Sequence, residues 1–186
     1  MKKMLKAAIM TGMGVGAGVL GAGGFLAYEA IGRKAKFVPA MIGRTFSAGS
    51  PEEKSNHDER KNSYRRWLKD HKAETLHIVS KAGNKLAATY VPSGNDSDIF
   101  VFCCHGYRYN GDDEFEKEAD YFYEKGYHFI CIDQLASGRS EGKYIGFGYL
   151  EAEDGLQWLE YLMPNTTQGC KQCVLHVVCA TKGDGK

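Results

Sequence analysis

Short apolar runs that are rich in β-branched and aromatic residues recur through the second half of the chain. Two of them are separated by the turn Ala82-Gly83-Asn84 and predict a β-hairpin. The run from Ile99 to Cys104 is continuously apolar, which is typical of a strand buried on both faces of a parallel sheet. The predicted strands are residues 75–79, 86–91, 99–104, 127–132 and 173–178.

Two stretches of helical periodicity lie between the last three of these runs. The first begins at an Asp113 cap with Glu116 three positions later, and it ends at Gly126. The second runs from about Tyr149 to Met163 and is stopped by Pro164. An order of strand, helix, strand, helix, strand with short links predicts the α/β class and a doubly wound sheet.

The first 36 residues have a different pattern. Basic residues flank the uncharged stretch from Ala7 to Tyr28, which is long enough to cross the hydrocarbon core of a bilayer as a helix. We therefore expect residues 1–36 to be a signal anchor, a single-pass N-terminal transmembrane segment that places the protein at a membrane. Positive charge on both flanks leaves the orientation open.

Two alternatives remain for this segment. A cleaved signal peptide would also have a basic start and a small-residue end such as Ala22-Gly23-Gly24. The string from Gly16 to Gly21 matches the G-x-G-x-x-G of dinucleotide-binding sites. That motif needs a preceding strand, and the sequence predicts none there.

Residues 37–72 form a charged stretch that leads to the first strand. Ser50-Pro51-Glu52-Glu53 is typical of a helix start, with a capping side chain, a first-turn proline and early acids. We predict a charged helical linker over residues 37–72, with Tyr64, Trp67 and Leu68 on its inner face. A partial α/β domain would then occupy residues 73–186.

Charge and cysteine spacing exclude several classes of function. With 24 basic and 23 acidic residues and a net charge of +1, nothing favours a nucleic-acid partner. Cys170 and Cys173 form a C-x-x-C, but no second pair of cysteines or histidines completes a zinc site. We therefore expect neither a metal nor another cofactor.

Two distinctive strings follow predicted strands, at the positions where open α/β sheets bind ligands. His105-Gly106-Tyr107 follows the first buried strand, and Asp133-x-x-Ala-x-Gly-x-Ser ends the next one. In this order they resemble the α/β-hydrolase superfamily over roughly residues 67–176. The resemblance is to the bacterial membrane-anchored branch related to serine aminopeptidases and monoacylglycerol lipases.

The resemblance implies a serine hydrolase of ester or amide substrates. Its fold would be the N-terminal half of a doubly wound α/β-hydrolase sheet, preceded by a transmembrane helix. The loop after the first buried strand would supply a backbone donor to an oxyanion, and the loop after the next strand would be braced by its own polar residues. Leu135 and Ser137 stand where the family usually has arginine and histidine. The oxyanion-loop residues are His105, Gly106 and Tyr107, and the bracing residues are Asp133, Gly138 and Ser140.

The nucleophile elbow of this family, G-x-S-x-G, falls on residues 177–181 when the pattern is laid over the chain, with Cys179 at the nucleophile position. Val177 and Thr181 are β-branched where the strained turn needs glycine, so Cys179 is a poor nucleophile candidate. The acid and histidine come later in this fold, and seven residues follow Cys179. We expect a truncated, inactive hydrolase with the lipid bilayer as partner and, if complete, a small ester or amide as substrate. The alternative is a non-enzymatic, membrane-anchored interaction protein.

Overall fold

The computed structural model describes residues 20–36, 51–95, 97–165 and 172–177. The chain divides into two compact units, residues 1–48 and residues 49–186. In the first unit, residues 20–31 are helical, and the Gly32 N–H donates to the Tyr28 carbonyl at 2.7 Å just past the end of that helix. Among the described residues, no helix has both the length and the apolarity needed to span a bilayer. The predicted span from Ala7 to Tyr28 begins outside them.

The second unit alternates strands and helices along the chain. Its strands are short and its helices vary from one turn to five. In chain order the elements are α1 (Pro51–Asp70), β1 (Glu74–Val79), β2 (Lys85–Val91), β3 (Ile99–Cys104), α2 (Gly111–Glu114), α3 (Glu118–Glu124), β4 (His128–Asp133), α4 (Tyr149–Asn165) and β5 (Gln172–Val177).

The five strands form one mixed sheet in the order β1-β2-β4-β3-β5. The hairpin β1–β2 is antiparallel, and β2 runs antiparallel to β4. The central strand β3 is parallel to β4 on one side and to β5 on the other. Parallel neighbours require crossover connections, and α2 with α3 and then α4 provide them. The carboxyl ends of β3, β4 and β5 therefore lie at one edge of the sheet.

Alternating residues of the central strands fill a separate core on each face of the sheet, as the two-residue period of a strand requires. On one face, Phe100 and Phe102 pack with Trp158 of α4. On the other face, Val101 and Cys103 pack with a second set of side chains. That second set includes Tyr64 of α1, Phe115, Ala119 of α3, Val91, Phe129 and Cys131.

Helix α1 lies in the same compact unit as the sheet. Tyr64 is buried in the second core, and Trp67 and Leu68 pack against it, so the predicted inner face is the face that contacts the sheet. The Trp67 indole N–H donates to Asp120 of α3 at 2.8 Å. The proposed linker boundary at residue 72 stays a prediction.

The helical stretch predicted from Asp113 to Gly126 is divided in two. Helix α2 begins earlier than predicted because Asn110 is the N-cap, and its side chain accepts a hydrogen bond from the Asp113 N–H at 3.0 Å. Phe115 lies in the interruption between α2 and α3 and is fully buried. Gly126 ends α3 with a φ of +77°, the left-handed conformation that a helix-terminating glycine adopts.

Candidate active site

His105 is the first residue after β3 and is buried at the carboxyl edge of the sheet. Its ring Nδ1 lies 2.8 Å from the Gly106 carbonyl oxygen, and its Nε2 lies 3.0 Å from the Gln134 backbone nitrogen. A carbonyl can only accept a hydrogen bond and a backbone N–H can only donate one. The network therefore assigns the neutral tautomer of His105 with the proton on Nδ1.

The protonation of His105 agrees with this assignment. Burial lowers the pKa of His105 below its ordinary value, although the Gly106 carbonyl and the carboxylates of Asp133 and Glu151 oppose the shift. Both ring nitrogens are engaged in hydrogen bonds, so the ring has no lone pair left to act as a general base. In the structure the imidazole orders the loop that follows β3.

The loop after β3 forms a tight turn at Gly106. The Tyr109 N–H donates to the Gly106 carbonyl at 3.2 Å, and Arg108 has a φ of +62°, which is uncommon for a residue with a side chain. The Tyr107 side chain is partly exposed and stacks on Phe147 with ring centroids 5.3 Å apart. Phe147 also has a positive φ, of +50°. Positive φ values are unfavourable for residues with side chains, and they persist where the surrounding structure enforces them, often at functional sites.

Asp133 ends β4 and is 2% exposed. One carboxylate oxygen accepts the Gly111 N–H at 3.0 Å. The other accepts two hydrogen bonds from Arg139, from its backbone N–H at 3.0 Å and from its Nε at 2.7 Å. Asp133 thus joins the start of α2 to the loop after β4.

The Arg139 guanidinium extends this connection to the hairpin. It donates to the Thr89 hydroxyl of β2 at 2.8 Å and to the Thr75 hydroxyl of β1 at 3.3 Å. It also lies 3.7 Å from the Asp112 carboxylate, which accepts a hydrogen bond from Thr89 at 2.6 Å. Burial alone would lower the pKa of Arg139, but the nearby carboxylates of Asp112 and Asp133 raise it above its ordinary value.

Ser140 and Gly138 complete the loop. The Ser140 hydroxyl is fully buried, donates to the Asp133 carbonyl and accepts from the Ala87 N–H of β2 at 2.9 Å. Gly138 has a φ of +47°, and a Cβ placed on it would lie 2.5 Å from the Asp133 carboxylate. The carboxylate therefore occupies the space that a side chain at position 138 would need.

Residues 133, 138 and 140 are thus brought together at the end of β4, and residues 105–107 at the end of β3. Leu135 and Ser137, at the positions where the resemblance leads one to expect arginine and histidine, are both buried. Leu135 packs into the core beside α4. The sequence did not predict that Gln134 and Arg139 hold these two loops through hydrogen bonds. For Arg139 a signal existed, since it lies inside the Gly-x-Ser of the second motif.

The nucleophile position lies outside the described residues. Strand β5 runs beside β3 with His176 opposite Cys103, and Cys179 comes two residues after the end of β5. Within the described ranges, no group of three histidine, cysteine or acidic side chains able to hold a metal occurs.

Solved structures with a similar fold over this part of the chain include an esterase and an α/β-hydrolase. An esterase from Pyrococcus furiosus matches with a TM-score of 0.51 at 24% identity, over 59% of this chain and 43% of that one. An α/β-hydrolase from a Penicillium species matches with a TM-score of 0.50 at 18% identity, over 57% of this chain and 37% of that one. The match thus spans less than half of each of these proteins.

No protein-family profile matches the chain, and no curated protein matches it. The likeness to solved structures shows the fold, so the predicted α/β-hydrolase fold is confirmed. The membrane-anchored branch of the superfamily stays a prediction.

Proposed function

We propose that the loops after β3 and β4 are the oxyanion side of a hydrolase site that acts on esters or amides. The observation that supports this most strongly is the turn at Gly106, which is fastened to β4 at the carboxyl edge of an α/β-hydrolase sheet. Ligands of open α/β sheets bind at that edge.

The proposed chemistry is acyl transfer. Attack on an ester or amide carbonyl places negative charge on its oxygen, and backbone N–H groups that are already oriented stabilise that charge. In this fold one such donor comes from the loop after β3, and a second follows the nucleophile. Here the first donor is the N–H of Tyr107 or of an adjacent residue.

The loop residues have separate tasks in this proposal. His105 and Gly106 shape the turn that presents the donor, and neither transfers a proton. Asp133, Gly138 and Ser140 brace the neighbouring loop through the hydrogen bonds described above. The aromatic pair of Tyr107 and Phe147 forms an apolar wall beside the turn.

The chain of 186 residues is not itself expected to hydrolyse an ester. The nucleophile position falls on Cys179, whose flanking residues Val177 and Thr181 are β-branched where the elbow requires glycine. We expect the chain to remain unlabelled by a fluorophosphonate probe. We also expect no fall in any ester turnover after the substitution Cys179→Ala, and a clear fall would overturn this part of the proposal.

A hybrid protein tests the oxyanion assignment. Residues 1–177 of this chain would be followed by the part of the Pyrococcus furiosus esterase that comes after its equivalent of β5. The proposal predicts that the hybrid hydrolyses p-nitrophenyl acetate and reacts with fluorophosphonate. Tyr107→Pro, which removes one backbone N–H, should abolish both, whereas Tyr107→Phe keeps the N–H and should preserve them. Equal activity in the two variants would refute the assignment of the Tyr107 N–H.

We further propose that residues 1–36 anchor the protein to a lipid bilayer. The uncharged stretch from Ala7 to Tyr28 and the helical conformation of residues 20–31 support this. The full chain should remain in the membrane fraction after a carbonate wash, and release of all the protein into the supernatant would contradict the proposal.

A further inference from the structure

We propose that Gln134 is a positioning residue of the oxyanion loop, because it holds His105 at two points and thereby fixes the turn at Gly106. The proposal deepens the function proposed above, since it depends on that turn being the oxyanion loop. It goes beyond that function by assigning a role to a residue at an unspecified position of the second motif, Asp133-x-x-Ala-x-Gly-x-Ser.

Gln134 donates two hydrogen bonds to His105, one from its backbone and one from its side chain. The Gln134 backbone N–H donates to the His105 Nε2 at 3.0 Å, and the Gln134 side-chain amide donates to the His105 carbonyl oxygen. The His105 Nδ1 proton is directed to the Gly106 carbonyl at 2.8 Å. Both ring nitrogens and the backbone carbonyl of His105 are therefore engaged, and two of the three bonds come from Gln134.

Gln134 is well placed to impose an orientation because its own backbone is fixed. It directly follows Asp133, whose carboxylate is held by the Gly111 N–H and by Arg139. The loop after β3 is thus fastened to the rigid end of the neighbouring strand β4. A loop held only by its own strand would have more freedom to move.

The contact with the His105 carbonyl requires a hydrogen-bond donor in the side chain at position 134. A carbonyl oxygen accepts hydrogen bonds, so only a donor side chain can bond to the His105 carbonyl. Glutamate would place a second acceptor against it, and methionine would fill the same space without a donor. The Gly106 carbonyl accepts from both His105 and the Tyr109 N–H, so the order of His105 is passed directly to the turn. Loss of the Gln134 amide should therefore loosen residues 106–109 and leave the sheet intact.

Hydrogen exchange of backbone amides in the full chain tests this inference. In Gln134→Met, exchange of the Tyr109 amide should accelerate about fivefold to tenfold, the effect of losing one net hydrogen bond. Exchange of β3 amides should remain unchanged, because the opening is local. The matched control is Gln157→Met, which changes a partly exposed glutamine of α4 that bonds to Lys81 and Glu153 and should leave Tyr109 exchange unaffected.

Unchanged exchange at Tyr109 would overturn the inference. Equal acceleration of exchange at Tyr109 and in β3 would also overturn it, because that result would indicate general destabilisation. A measurement on the unaltered chain does not depend on any variant folding. A nitrogen–nitrogen coupling across the hydrogen bond should be detectable between the Gln134 backbone nitrogen and the His105 Nε2. Its absence, or a His105 ring protonated on Nε2, would also overturn the inference.

These outcomes separate this inference from the proposed function. An unreactive hybrid, together with the predicted exchange and coupling, would show a fixed loop that does not bind an oxyanion. A reactive hybrid with unaltered Tyr109 exchange in Gln134→Met would keep the hydrolase site and remove Gln134 from it.

Discussion

Replacing Asp133 by asparagine tests how the loop after β4 is held. The change keeps the size of the side chain, removes its negative charge and converts one acceptor oxygen into an NH2 donor. Asp133 is 2% exposed and accepts three hydrogen bonds, one from Gly111 and two from Arg139. The asparagine side chain has a single acceptor oxygen, so it can accept from Gly111 or from Arg139 but not from both.

The less costly orientation keeps the amide oxygen towards Arg139 and turns the NH2 group towards the Gly111 N–H. That buried N–H then has no acceptor, which costs about 1–3 kcal/mol, and the bonds to Arg139 weaken by about 1 kcal/mol because the acceptor is neutral. We therefore expect Asp133→Asn to lower the free energy of unfolding by about 3 kcal/mol. For a domain of this size that is a large part of the total, which is about 5–15 kcal/mol.

Urea unfolding of the full chain, followed by circular dichroism, measures this difference. The matched control is Glu153→Gln, the same change of acid to amide in a pair with Lys81 at 3.2 Å whose two side chains are 61% and 66% exposed. Exposed pairs contribute about 0–1 kcal/mol, so the control should differ little from the unaltered chain. If Asp133→Asn costs no more than the control, the carboxylate does not hold the loop in the way described.

Three further predictions follow from buried polar groups and backbone geometry. Ser140→Ala removes the acceptor of a buried N–H and should cost about 1–3 kcal/mol in urea unfolding, whereas Ser63→Ala on the exposed face of α1 should cost less than about 0.5 kcal/mol. Burial lowers the pKa of His128 although Asp98 opposes the shift, so the folded chain binds fewer protons than the unfolded chain. The free energy of unfolding should therefore be level above about pH 6.5 and fall below it. The substitution His128→Asn should flatten that fall. Gly138→Ala should destabilise the chain by at least about 2 kcal/mol, because φ at this position is positive and the new methyl group would meet the Asp133 carboxylate. Gly155→Ala lies in a helix with open space around it and should stabilise the chain by about 0.5–1 kcal/mol. Equal melting temperatures for the two variants would contradict the geometry.

The strands were predictable because each is a short run rich in apolar, β-branched or aromatic residues that turn or helix signals separate from the next. The run from Ile99 to Cys104 coincides with β3, and the turn at Gly83 joins the two strands of the hairpin. The start and division of the helix after β3 were harder to predict. Asn110 and Asp113 are equally good caps by type, and only the packing of Gly111 against the backbone of β4 selects the first.

The candidate site was predictable only in outline. The two motifs indicated which loops meet at the carboxyl edge, since that depends on topology. The contacts of Gln134 with His105 and of Arg139 with Thr75 and Thr89 join residues that are 29 to 64 positions apart in sequence. No local pattern encodes such pairs, so they required the strand order and register.

Reaction of the hybrid protein with a fluorophosphonate probe tests the hydrolase proposal most directly. We predict rapid, stoichiometric labelling that persists in Tyr107→Phe and is lost in Tyr107→Pro, with circular dichroism showing the same folded sheet in all three proteins. A folded hybrid that stays unlabelled would contradict the hydrolase proposal, and a hybrid that is labelled equally with proline at position 107 would show that the Tyr107 N–H does not stabilise the oxyanion.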